Sequence, residues 1–110
     1  VLVTTEVVPS SLNYYGNAHG GYLFTLCDQI SGLVVISQGA DAVTLQSSIN
    51  YLKAAKLGDT LSIEGSCIHT GRTTRVVDVD IVNQDGKNVC KGTFTMFVTG
   101  ERGENAQVRI

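Results

Sequence analysis

Asp28 is the residue whose chemistry most needs an account. It is the only charged residue between His19 and Asp41, inside the run GGYLFTLCDQISGLVVISQG. A carboxylate among apolar side chains is costly unless it is paired, and no lysine or arginine lies near it in sequence. One reading places Asp28 on a solvated helix stripe or makes it the cap of a neighbouring loop. The other makes it a positioned base or nucleophile, tuned by its surroundings. Just upstream stands His19-Gly20-Gly21. A helix that begins there offers free N–H groups and the positive end of its dipole to a polarised carbonyl oxygen. Glycine lets a ligand approach that backbone closely. The plainer alternative is an ordinary loop-to-helix junction.

The elements that hold these groups are legible as pattern. Residues 1–8, VLVTTEVV, are β-branched and predict a strand, and residues 9–19 are rich in turn formers and predict a loop. The Leu, Phe and Cys content that follows predicts a helix over about residues 21–37. Gly20, Gly21, Thr25, Asp28, Gln29, Ser31 and Gly32 interrupt its apolar run, so no membrane span is expected. Alternation then puts Val43, Leu45, Ser47, Ile49 and Tyr51 on one strand face. It puts Thr44, Gln46, Ser48, Asn50 and Leu52 on the other. Residues 53–59 form a connection. Leu61, Ile63 and Cys67 mark a second alternating strand, and residues 69–72, which include His69, a turn. Val77, Val79 and Ile81 oppose Asp78 and Asp80 in a third strand. Asp85-Gly86 is a hairpin signal, and residues 88–98 form the last strand with Phe94, Met96 and Val98 inward.

One strand, one long helix and four further strands make an α+β architecture with an antiparallel sheet. A helix that is apolar around most of its circumference is a buried one, and a flat sheet covers one side only. Either the sheet curls around the helix or a second subunit covers the rest. Residues 101–110 are polar and read as a loose tail.

The length of 110 residues sets one domain over the whole chain, residues 1–110. Charged residues make up 16%, against about 25% in an average soluble domain, which suggests a covered surface. A net charge of -2 leaves no basic excess for nucleic acid. Cys27, Cys67 and Cys90 are odd in number and widely spaced, which disfavours a metal site and a disulfide framework. They read as reduced, buried thiols. With no leader pattern in the opening residues, a cytoplasmic setting is expected.

The run Asn13-x5-His19-Gly20-Gly21-x6-Asp28, followed by VTLQSSINYLKAAKLGDTL, resembles the hotdog-fold acyl-CoA thioesterases. More narrowly it is similar to their phenylacetate-degradation type, which includes animal members with the same spacing. The resemblance extends over residues 1–100. It implies a curved antiparallel sheet wrapped around one long central helix. It also implies a homodimer, usually doubled to a homotetramer, that hydrolyses a small-molecule acyl-CoA to free acid and CoA. Asp28 then matches the catalytic carboxylate, as general base or nucleophile. The Gly20 N–H matches the oxyanion donor, and Asn13 a polar group holding the thioester or the water. His19 matches a supporting histidine, and Thr44 a hydroxyl that orients the water. No metal or organic cofactor is implied, because the thioester is already activated.

Lys53, Lys56, Arg72 and Arg75 are candidates for the CoA phosphates, with solvated surface charge as the alternative for each. Tyr14, Tyr15 and Tyr22 flank the motif and line either an acyl pocket or the core. Gly20 and Asp28 stand eight residues apart, so about 12 Å along a helix. One carbonyl carbon must lie roughly 3 Å from both nucleophile and donor. If both act on one thioester, they come from different chains. A structural oligomeric domain with no ligand leaves Asp28 and the glycine pair unexplained, and two further rivals stand beside it. One is a hotdog dehydratase of hydroxyacyl thioesters, although no His-Phe-Pro occurs. The other is a non-catalytic acyl-CoA-binding domain, although no helix-turn-helix segment accompanies it.

Overall fold

The β-branched and alternating segments all become strands, and the one long apolar run becomes the one long helix. The computed structural model describes residues 1–101, so the expected tail lies outside the described residues but for Glu101. The order is β1 (Leu2–Glu6), a 3₁₀ turn (Pro9–Ser11), α1 (Gly20–Ser37), β2 (Ala40–Tyr51), β3 (Thr60–Thr70), β4 (Thr74–Val82) and β5 (Asn88–Glu101). Every pairing is antiparallel, and the strands lie side by side as β1-β3-β4-β5-β2. The chain therefore leaves α1 at one edge of the sheet, and residues 52–59 carry it back to β3 beside β1.

α1 packs on β2, β3, β4 and β5. Its buried stripe is Leu23, Cys27, Ile30 and Val34, at helical spacing, with Ser31 and Val35 beside it. Opposite lie Leu61 and Ile63 of β3, Val77, Val79 and Ile81 of β4, and Cys90, Phe94 and Met96 of β5. By length and composition α1 could also cross a membrane, and its seat in this core accounts for that apolarity. Tyr22, Phe24, Leu26 and Leu33 are only half-buried shoulders of the helix. That matches the inference that one sheet does not cover it fully.

The helix rests closest to the sheet over Gly65 of β3. A Cβ there would lie 2.6 Å from Ile30 Cγ2 and 2.9 Å from Val34 Cγ2. Gly65→Ala is expected to cost about 1–3 kcal/mol through overpacking. In thermal unfolding it should lower Tm by about 4–8 °C per kcal/mol. An unchanged Tm would mean that α1 does not rest there.

The connections follow the expected turn chemistry. In the β4–β5 hairpin Gly86 takes φ +73°, and the buried Asn83 side chain accepts from the Asp85 and Lys87 N–H groups at 3.0 Å each. Before β3, the Asp59 carboxylate accepts from the Lys56 N–H at 2.9 Å and from Gln84 Nε2 at 3.0 Å. These two bonds, the Lys56 N–H first, hold its carboxyl below the usual carboxylate range. A depressed folded value stabilises the fold above about pH 4 and is lost as the pH falls through it. Asp59→Asn is expected to flatten that acid limb in pH-dependent unfolding, because the variant lacks at neutral pH the stability that the wild type loses only in acid.

Two expectations require correction. Strict alternation puts Thr44 on the face opposite Ser47. In the structure Thr44 pairs with Met96 and Gln46 with Thr95, so Leu45 is an extra, unpaired residue. This β-bulge shifts the phase by one, and Thr44 joins Ser47, Ile49 and Tyr51 on the face toward α1. Val43, paired with Phe97, turns to the outer face. Cys67 is the second correction. Cys27 and Cys90 are fully buried, but Cys67 is only half-buried at the end of β3, where an extra residue, Ile68, disturbs the pairing.

Candidate active site

α1 begins where the glycine pair predicts. His19 is its N-cap, and its Nδ1 accepts from the Gly21 N–H at 3.0 Å. The Gly20 N–H has no acceptor among the described residues, as expected for the first turn of a helix. Gly20 lines a cleft of about 340 Å³ together with Asn13, Leu23, Tyr51, Lys53 and neighbouring residues. Asn13 is locked by its own loop. Its Oδ1 accepts from the Tyr15 N–H at 2.9 Å and the Asn17 N–H at 3.1 Å, which leaves the amide NH₂ end for a ligand. Gly20 and Asn13, each with a donor not engaged among the described residues, thus line one cleft.

Asp28 lies on the same helix, half-buried, two turns further on. Thr44 Oγ1 donates to Asp28 Oδ1 at 2.6 Å. Met96 Sδ lies 3.6 Å from the same hydroxyl, but one proton serves one acceptor and the carboxylate is much the stronger. The bulge at Leu45 is what turns Thr44 toward this carboxylate. A hydroxyl that donates to Asp28 still has lone pairs to accept from a water, so the pair can hold a water and take its proton.

The sequence-expected residues therefore fall into two groups. Asn13, His19 and Gly20 gather at the start of α1, and Asp28 and Thr44 gather two turns later. The candidate cations also divide. Lys53 lines the Gly20 cleft, and Lys56 is exposed in the turn that Asp59 closes. Arg72 is exposed in the β3–β4 turn. Arg75 is half-buried and tied to its own turn: its Nη1 donates to the Gly71 carbonyl, and its Nε to Gln38 Oε1 at 3.2 Å. Its guanidinium is thus a staple between the turn and the end of α1. Tyr14 and Tyr15 are exposed on the loop, 98% and 85%, and outside the core, whereas Tyr22 is half-buried against it.

Cys27 adjoins Asp28 in sequence but points into the core, its Sγ 3.9 Å from Cys90 Sγ. The Cys90 sulfur and burial push the Cys27 thiol well above its ordinary value, which makes it a poor nucleophile. Sequence reasoning missed Tyr51 as a site residue. It closes β2, lines the cleft, and donates its hydroxyl to the Gly20 carbonyl at 2.8 Å. Its only sequence signal is an aromatic residue at a strand end.

Known proteins share this arrangement of elements. A Streptococcus pneumoniae TIGR4 hypothetical thioesterase, solved with coenzyme A, is 78% identical over 93% of this chain and 82% of its own, with a TM-score of 0.92. The same protein has been solved with an aspartate changed to alanine and with a threonine changed to alanine. Those two positions lie sixteen residues apart, as Asp28 and Thr44 do here. A Streptococcus mutans UA159 protein bound to acetyl-CoA is 74% identical over 94% of this chain and 83% of its own, with a TM-score of 0.93. The acyl-coenzyme A thioesterase PaaI of Escherichia coli is 39% identical over 88 residues, 80% of this chain, and this chain spans 63% of that relative's length. The thioesterase superfamily model matches residues 15–90, from the loop before α1 to the start of β5, and the chain belongs to that superfamily.

Proposed function

We propose that the chain is an acyl-CoA thioesterase whose site is shared between two copies. The observation that carries this reading is the Asp28–Thr44 pair at 2.6 Å, on the helix whose first residue, Gly20, lines a cleft. Asp28 with Thr44 handles the water, and Gly20 with Asn13 receives the developing oxyanion. In the base route Asp28 takes a proton from water, and the water oxygen bonds to the thioester carbon. The carbonyl oxygen becomes an oxyanion on the Gly20 N–H. Collapse breaks the carbon–sulfur bond, and the proton held by Asp28 goes to the CoA thiolate. In the nucleophile route an Asp28 oxygen bonds to the thioester carbon, the carbon–sulfur bond breaks and CoA leaves as a thiolate; water then cleaves the mixed anhydride to free acid and the Asp28 carboxylate, and its proton goes to the thiolate. Neither route calls for a metal or organic cofactor.

Eight residues of α1 separate the two groups, about 12 Å along its axis. One thioester therefore meets Gly20 of one protomer and Asp28 of the other. β2 supports such pairing: it is an edge strand, with Val43 56% and Leu45 63% exposed. We extend the reading to a homotetramer of two such dimers. Lys53, Lys56 and Arg72, and Arg75 through its Nη2, are the cations that would meet the CoA phosphates. The buried Cys27 and Cys90 thiols support a reducing, cytoplasmic setting.

The test is free-thiol release from short, medium, long and phenylacetyl-type CoA esters, with a blank for the protein's own cysteines. Release is expected, and the preferred ester names the acyl class. No release from any ester by folded protein would overturn the reading. Binding without release would then indicate an acyl-CoA-binding domain, and turnover of a hydroxyacyl-CoA a dehydratase.

A further inference from the structure

We propose that Tyr51 is a positioning residue that acts on the start of α1 through a single peptide group. Its hydroxyl donates to the Gly20 carbonyl at 2.8 Å. That carbonyl shares its peptide with the Gly21 N–H, which donates to His19 Nδ1 at 3.0 Å. An unbroken chain, O–H to O=C–N–H to imidazole nitrogen, thus runs from β2 to His19. A hydrogen bond at the carbonyl end of an amide polarises it and strengthens the donor at its other end. With Nδ1 held as an acceptor, the neutral ring of His19 carries its proton on Nε2. Tyr51 therefore fixes which nitrogen of His19 can donate to a ligand.

The same contact pins the oxyanion donor. The Gly20 N–H belongs to the preceding peptide, whose carbonyl, that of His19, accepts from the Leu23 N–H at 3.1 Å. Gly20 thus has both flanking carbonyls bound within the helix, and Tyr51 adds a second donor to its own. The ring closes on it as well: a Cβ at position 20 would lie 3.3 Å from Tyr51 Cζ. Tyr51 is 51% exposed, and its hydroxyl has no other hydrogen bond among the described residues. Its hydroxyl contributes little to the core and much to the geometry of this one turn.

The kinetic half of this inference rests on the thioesterase reading above. Tyr51→Phe keeps the ring and removes only the hydroxyl. It is expected to lower kcat roughly tenfold and to leave KM within about twofold, because the oxyanion contact is made in the transition state. Tm should stay near wild type. In NMR spectra the Gly21 amide proton should move upfield, and the His19 ring nitrogens should drift toward a mixture of tautomers. Unchanged Gly21 and His19 signals would overturn the hydrogen-bond chain. Shifted signals with an unchanged kcat would overturn the positioning role. A wild type that cleaves no ester would overturn the enzymatic reading instead. The outcomes are distinguishable, because these NMR signals respond to Tyr51 whether or not a thioester is cleaved.

Discussion

Asp28→Asn is expected to fold as the wild type does and to lose about 10²-fold or more in turnover, the loss typical of removing an acid–base group. The substitution conserves shape. Asparagine keeps an oxygen to accept the Thr44 hydroxyl that now lies 2.6 Å from Asp28 Oδ1, and the half-buried position accommodates an amide of equal size. What disappears is the capacity to take a proton from water or to form a bond to the acyl carbon. Thiol release measured beside a thermal melt separates the two effects. A near-wild-type rate would remove Asp28 from the chemistry. A low rate with a collapsed melt would show that the carboxylate matters for folding instead.

Gly20→Pro carries the second large effect. Proline suits the first position of a helix, and the extended His19 (φ -65°, ψ 137°) suits the residue before a proline. The Gly20 N–H is lost while the helix remains. Half-exposed Tyr51 must give by a few tenths of an ångström, since a Cβ at this position meets its ring at 3.3 Å. Removing an oxyanion donor lowers kcat by about 10²–10³-fold, and that loss is expected here.

Mixing the two dead variants then tests the shared site directly. In a heterodimer one site combines both defects and the other combines neither. Random re-pairing should therefore restore about a quarter of wild-type activity. A site built within one chain would restore none.

The order of elements was legible because each has its own period: alternation for the strands, a long apolar run for α1, and Asp85-Gly86 for the hairpin. The nine-residue step from His19 to Asp28 was legible too, since helix geometry converts it into a fixed separation. Strand order was not, because pairing β2 with β5 and β1 with β3 depends on contacts distant in sequence. The bulge was hidden because Leu45 continues the apolar alternation and does not break it. Arg75 shows a different limit. Its charge suggested a phosphate ligand, and folding adds what the sequence does not show: the Gly71 carbonyl and Gln38 take up its Nη1 and Nε, which leaves Nη2 for an anion. Tyr51 was visible as a residue and not as a role, since its partner is a backbone carbonyl 31 positions away.

The unpaired Leu45 also bears on how the gene can change. Replacing Leu45 alters one exposed side chain, whereas deleting its codon would remove the step that sets the phase of β2. Thr44 would then face outward and Val43 would lie beside Asp28, a methyl-bearing side chain where the carboxylate now accepts a hydroxyl proton. In this stretch a single-codon deletion is a heavier lesion than an ordinary exchange of one side chain for another at the same codon. Sequences compared across it need their gap placed at the bulge if the residue facing the carboxylate is to be identified.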